Sequence, residues 1–200
     1  MARPATIRDE TILEAAREVF LTRGIQGTTA EVAERAGVSE GTLFKRFRTK
    51  DELFRAAMTS QSPADVPWIR SLPGRVGKGA VHDNLVDLGL QMVGFFRLLM
   101  PLMVMTLSNP ALAGKSPFGE SNPPPLVALG KLAEYFAAEA ARGRLRAPDP
   151  AIAARTFMAG LHSFVMMEML LKDHVGAPRM SDEVFVRGHV DLLWSGLAPS

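Results

Sequence analysis

Three observations on the sequence predict an all-α fold. Apolar residues recur at helical spacing between breaks rich in proline and glycine. No stretch alternates apolar and polar residues as a half-buried strand would, and there is no internal repeat. Helix-start signals stand just ahead of several of the periodic segments. With 200 residues, 47% of them hydrophobic and 22% charged, the chain has the material for a sizeable core.

The first helix is predicted over about residues 7–23, where Ile12, Ala16, Val19 and Phe20 fall on one face, with Leu13 beside them, and Gly24 stops it. A second is predicted over 29–36, because Thr28 and Glu31 have capping-box spacing and Gly37 stands where a left-handed residue closes a helix. The third spans 40–47, with Ser39 as its N-cap. The fourth begins after Thr49, which forms a second capping box with Glu52; Leu53, Phe54, Ala57 and Met58 are its inner face. Pro63 implies an end or a kink near residue 61.

Residues 63–79 carry Pro63, Pro67, Pro73, Gly74, Gly77 and Gly79 and read as linker or irregular structure. Within them GRVGKGA, at 74–80, lacks phosphate-loop spacing and reads as a flexible connection. Further helices are predicted at about 80–99, 101–108, 124–142, 150–173 and 182–197, with Asp149 and Ser181 capping the last two and Pro150 in a first-turn position. The domains expected are 1–60 and 61–200.

Composition excludes several function classes. The absence of cysteine excludes a disulfide framework, a thiolate metal site and a cysteine nucleophile. His82, His162, His174 and His189 show no metal-ligand spacing, and there is no G-x-S-x-G elbow. No metal, cofactor or catalytic residue is expected, and the chain does not read as an enzyme. Residues 1–20 are charged throughout and carry no apolar run of the kind a secretory signal needs. The most apolar stretch, 85–107, is interrupted by Asp87, Arg97 and Pro101, so it reads as a buried helix pair rather than a membrane anchor. A cytoplasmic location without membrane contact is the expectation.

The functional signal lies in the second and third helices. They are short, and only three or four residues separate them, as in a helix-turn-helix. Ala33 is small enough for the helices to cross closely. Gly37 permits the turn, Val38 plugs the angle, and Leu43 and Phe47 anchor the third helix from beneath. That leaves Glu40, Gly41, Thr42, Lys45 and Arg46 facing outward. Net charge is only +2, from 23 Lys and Arg against 21 Asp and Glu, so placement carries the argument. The window from Glu40 to Lys50 holds Lys45, Arg46, Arg48 and Lys50 against one acid, where phosphates would lie.

The run GTTAEVAERAGVSEGTLFKRFRTKDELF, residues 27–54, resembles the DNA-binding domain of the TetR (tetracycline-repressor-like) family of bacterial transcriptional regulators. The resemblance covers about residues 7–60, and the remainder is similar in pattern only. It implies phosphate contacts at Thr28 and Thr29 and a groove-facing set of Glu40, Gly41, Thr42, Lys45 and Arg46, Gly41 letting the backbone approach. It implies that Lys50 binds phosphate ahead of the fourth helix, and that Arg3 and Arg8 belong to a basic N-terminal arm. Position 44 is usually Tyr in the family. Phe44 lacks the hydroxyl that would bind phosphate and is left to pack against sugar or core. Arg46 stands where His or Tyr is frequent, and reaches either a phosphate or a guanine edge.

Methionine and phenylalanine are dense in the C-terminal region, and such residues suit an adaptable apolar pocket. The candidates on the earlier helices are Met92, Phe96, Met100, Met103 and Phe136. Phe157, Met158, Leu161 and His162 join them, His162 as the polar group that interrupts an apolar helix. The helices at 150–173 and 182–197 hold more apolar surface than one small core requires. The resemblance implies that they pair with their copies in a homodimer. The candidates there are Gly160, Phe164, Met167 and Leu171 on one helix, and Val186, Val190, Leu193, Trp194 and Leu197 on the other. The expected partners are double-stranded DNA carrying a palindromic operator, a second copy of the chain, and a small apolar or aromatic effector that relieves repression. A constitutive DNA-binding dimer without effector control, and a helical lipid or small-molecule carrier, are the alternatives.

Overall fold

A computed structural model of the chain describes residues 9–59, 66–107, 123–146, 149–174, 176 and 180–199. Every regular element among the described residues is helical. The elements are α1 (Asp9–Arg23), a single 3₁₀ turn (Gly24–Gln26), α2 (Thr29–Ala36), α3 (Glu40–Arg46), α4 (Lys50–Thr59), α5 (Pro67–Arg75), α6 (Val81–Leu107), α7 (Pro124–Ala140), α8 (Pro150–Leu171) and α9 (Asp182–Leu197). They divide into two compact units, one of residues 1–62 and 98–121 and one of 63–97 and 122–200, so α6 contributes to both.

The caps expected from sequence form. Thr28 Oγ1 accepts from the Glu31 amide at 3.2 Å, and the Thr28 amide donates to Glu31 Oε2 at 2.8 Å, a complete capping box. Ser39, Asp149 and Ser181 cap α3, α8 and α9 in the same way through their side-chain oxygens. The second box is re-wired: the Glu52 amide donates to Thr49 Oγ1, while the Glu52 carboxylate takes the Arg48 amide rather than that of Thr49.

In the first unit α1 packs on α2 and α4, and α2 on α3. Ile12, Val19 and Phe20 of α1 share one core with Val32, Leu43, Leu53 and Phe54. Phe20 and Phe54 meet edge to face with centroids 5.6 Å apart. Leu99, from the C-terminal part of α6, packs against the same core. Arg3 and Arg8, the expected basic arm, lie outside the described residues.

The second unit is built on the pairing of α7 with α8, joined by α9 and α5. Leu85, Met92, Leu132, Phe136, Phe157 and Val190 are fully buried in it. So is the carboxylate of Glu139, which accepts from Arg144 Nε at 2.7 Å and from the Gly77 amide at 3.0 Å.

Three expectations are corrected. The stretch 63–79 is not all linker, because α5 lies inside it with Trp68, Ile69 and Leu72 buried on one face. Pro67 sits in the first turn, where its missing N–H costs nothing, and burial of that face overrides the composition. The segment 74–80 is not a loose connection either, since Gly77 is tied to Glu139, and Lys78 O accepts from Arg144 and from Asn84. The helices expected at 80–99 and 101–108 are one continuous α6 with Pro101 inside it. Proline removes one hydrogen bond, a cost of about 3 kcal/mol, and the remaining ladder and the burial of Met100 next to it offset that loss.

Candidate nucleic-acid interface

The turn between α2 and α3 depends on Gly37, which adopts φ +68° and donates from its amide to Glu34 O at 3.1 Å. The Val38 amide donates to Ala33 O at 2.9 Å and completes the helix end. Leu43 is fully buried and Phe47 nearly so, so α3 is held from one side only. The opposite side of α3 presents Glu40, Gly41, Phe44 and Lys45 to solvent. A side chain added at Gly41 would meet nothing closer than Ser39 Oγ at 3.8 Å, so the backbone there is open to a close approach. Phe44 is 42% exposed, a large apolar ring left on the surface.

The polar residues of this face are braced by neighbouring helices. Thr29 Oγ1 donates to Glu40 Oε1 at 2.8 Å, joining the start of α2 to the start of α3. Arg46 Nη1 donates to Asp9 Oδ1 at 2.5 Å, joining the end of α3 to the start of α1. Thr42 Oγ1 pairs with Ser39 Oγ at 2.9 Å. Thr28 Oγ1 is engaged with Glu31, whose carboxyl is held below the usual carboxylate range, chiefly by its hydrogen bond from the Thr28 amide. Lys50 opens α4 with its Nζ 6.0 Å from the centre of the Phe20 ring. Sequence reasoning missed the bracing by Asp9, because its partner Arg46 lies 37 residues away and no spacing rule links them.

The structure divides the candidate pocket residues. Met92, Phe136, Phe157 and Leu161 are fully buried in the second unit, whereas Met100 and Met103 belong to the first. Phe96 and His162 meet edge to face at 5.7 Å, with His162 exposed to solvent. Met158 is half-buried. A shallow groove of about 200 Å³ on the second unit lies elsewhere, lined by Leu129, Gly130 and Ala133 of α7 and Ala151, Ile152 and Arg155 of α8.

The candidate dimer residues divide as well. Val186, Val190 and Leu197 are buried in the chain's own core, contrary to an intermolecular role. Val186 faces α6 at Gly89, where even a β-carbon would come within 2.6 Å of it. Gly160 lies against the His189 ring, Phe164 stacks on Phe185 at 4.0 Å, and Trp194 meets His82 edge to face. Leu171 and Leu193 are half-buried. Met167 stays half-exposed, and with it stand Leu170 at 65%, Val184 at 59% and Leu192 at 75%, three residues that helical periodicity alone does not single out.

Comparison with known proteins places these units. Residues 12–57 match the model of bacterial regulatory proteins of the tetR family. Residues 124–194 match the model of the C-terminal domain of AefR-like transcriptional repressors. The uncharacterized HTH-type transcriptional regulator YvkB of Bacillus subtilis (strain 168) is 32% identical over 75 residues. That match spans 37% of this chain and 40% of the relative. The fold is shared with a TetR transcriptional regulator from Streptomyces coelicolor, 22% identical, with a TM-score of 0.62 over 96% of this chain and 98% of that one. It is shared also with FadR from Bacillus subtilis, solved with stearoyl-CoA, 17% identical, with a TM-score of 0.60 over 94% of this chain and 99% of that one. The helix-turn-helix segment and the helical C-terminal segment point to the same group, and the chain belongs to the tetR family of bacterial regulatory proteins.

Proposed function

We propose that the chain is a sequence-specific DNA-binding transcriptional regulator that acts as a homodimer on a palindromic operator and represses until a small apolar effector binds. The observation that carries the reading is α3, a short helix anchored by Leu43 and Phe47 with Gly41, Phe44 and Lys45 left outward on its other side. A helix held in that way fits a major groove, and the bases Lys45, Arg46, Arg48 and Lys50 stand where phosphates flank it. Thr28 and Thr29 contribute at the start of α2, though their side chains must share existing partners with the DNA.

A single short helix reads few bases, and two copies on half-sites one helical turn apart multiply specificity. The exposed Met167, Leu170, Val184 and Leu192 on α8 and α9 supply apolar surface for that pairing. Effector control is supported by the match of residues 124–194 to the C-terminal domain of AefR-like repressors and by the fold shared with a stearoyl-CoA-bound regulator. An effector that binds the DNA-incompetent form 100-fold better lowers operator affinity by about 2.7 kcal/mol.

The test is selection of binding sites from a random or genomic DNA library, followed by salt titration of the enriched sequence. A palindromic site with salt-sensitive affinity is expected. Lys50→Ala is expected to weaken binding to all sequences and to lower the salt slope by about one. If ligand-stripped protein enriches nothing and binds only weakly at physiological salt, the DNA reading is wrong.

A further inference from the structure

Glu40 is an unusual residue to place against DNA. An ionised carboxylate is repelled by phosphates, and it accepts hydrogen bonds but donates none. In the major groove guanine presents only acceptors and thymine an acceptor and a methyl group, whereas cytosine presents the N4 amino donor. Adenine also presents an amino donor at N6, but its N7 acceptor lies beside that donor and repels a carboxylate, so a carboxylate at that edge is unfavourable against guanine and thymine, opposed at adenine and favourable on cytosine. Its effect is to discriminate between bases, not to add affinity.

Glu40 is also set up to act in that way. It lies on the exposed side of α3, beside Gly41, where no side chain obstructs an approaching base edge. Its Oε1 is held by Thr29 Oγ1 at 2.8 Å, so the carboxylate is aimed from α2 rather than left to swing. It is not needed as the helix cap, because Ser39 Oγ already accepts from the Thr42 amide at 3.2 Å.

From this geometry we propose that Glu40 selects a cytosine at one position of each operator half-site and that Thr29 is the residue that positions it. The assignment rests on the DNA-binding reading above. The pair converts a surface hydrogen bond between two helices into a fixed acceptor on the reading face.

Parallel binding-site selections on full-length wild type, Glu40→Gln, Glu40→Ala and Thr29→Val test it. Wild type is expected to enrich a site with cytosine at one column of each half. Glu40→Gln moves that column toward adenine, because an amide both donates to and accepts from the adenine edge. Glu40→Ala removes the preference there, with discrimination falling on the order of 10-fold, and leaves every other column as in wild type. Thr29→Val broadens the same column. Identical columns in wild type, Glu40→Gln and Glu40→Ala overturn the assignment while leaving the DNA reading in place. An unchanged column in Thr29→Val overturns the positioning role. If wild type itself enriches no site, the DNA reading fails and the proposal falls with it.

Discussion

Arg46, in the last turn of α3, is bound by Asp9, in the first turn of α1, with Nη1 2.5 Å from Oδ1. The pair joins two helices at the edge of the proposed reading face. Any phosphate or guanine that takes Arg46 must compete with that carboxylate. Asp9→Asn is therefore expected to raise operator affinity by up to about fivefold, the scale of an exposed ion pair of 0.2–1 kcal/mol. Fluorescence anisotropy with a labelled operator measures it. A fall in affinity would show that Asp9 helps Arg46 to bind instead of competing for it.

Gly160 is a second point of close contact. A β-carbon there would lie 2.3 Å from His189 Cε1. The ring cannot easily retreat, because it stacks between Phe157 and Phe185 and donates from Nε2 to Phe157 O at 3.0 Å. Gly160→Ala is expected to destabilise the protein by about 1–3 kcal/mol in denaturant unfolding, as overpacking does. Added to His189→Ala, the same substitution should cost much less. Equal losses in the two backgrounds would disprove the clash.

Glu139 satisfies two donors at once, Arg144 Nε and the Gly77 amide. Glu139→Ala leaves both without that acceptor, and a loss of about 1–3 kcal/mol is expected. Glu139→Gln keeps one acceptor oxygen and should lose less. Chemical denaturation of the three proteins side by side ranks them, and wild-type stability in Glu139→Ala would count against the clasp.

Tyr135 makes stability depend on pH in the alkaline range. Burial, and then the neighbouring Glu139 carboxylate, push its hydroxyl up to about 12 from the ordinary 10. The folded state thus resists the phenolate. The stabilisation tied to the neutral hydroxyl is complete below about pH 10 and is lost as pH rises toward 12. Thermal melts between pH 9 and about 12 should show a steeper decline for wild type than for Tyr135→Phe. Parallel curves would mean that other groups carry the alkaline loss.

The exposed apolar residues of α8 and α9 predict the proposed dimer contact. Leu170→Glu with Leu192→Glu should yield a folded monomer in sedimentation, because both side chains stand in solvent within one chain. Val190→Glu should instead unfold the protein, because it places a charge in the core. A double mutant that sediments with wild type places the contact elsewhere.

Much of the first unit was legible in the sequence because its signals are local. Thr28 and Glu31 stand three apart, Gly37 follows the last buried alanine, and Ser39 precedes the helix it caps. Capping and turn geometry act over one helical turn, so spacing alone reveals them. The same local logic misled at α5 and at Pro101. Proline and glycine argue against a helix only until tertiary burial outweighs them, and the burial of Trp68, Ile69 and Leu72 cannot be read from residues 63–79 alone.

The sequence by itself determined the all-helical architecture and the helix-turn-helix, because periodicity and caps are properties of consecutive residues. Tertiary structure alone decided which apolar residues of α8 and α9 face inward. Val186 and Val190 are covered by the chain while Leu192 is not, although all three are apolar residues of one helix. It alone decided that Asp9 holds Arg46 and that Thr29 holds Glu40. Those pairs join residues distant along the chain, and only packing of the helices against their shared core brings such side chains within hydrogen-bond reach.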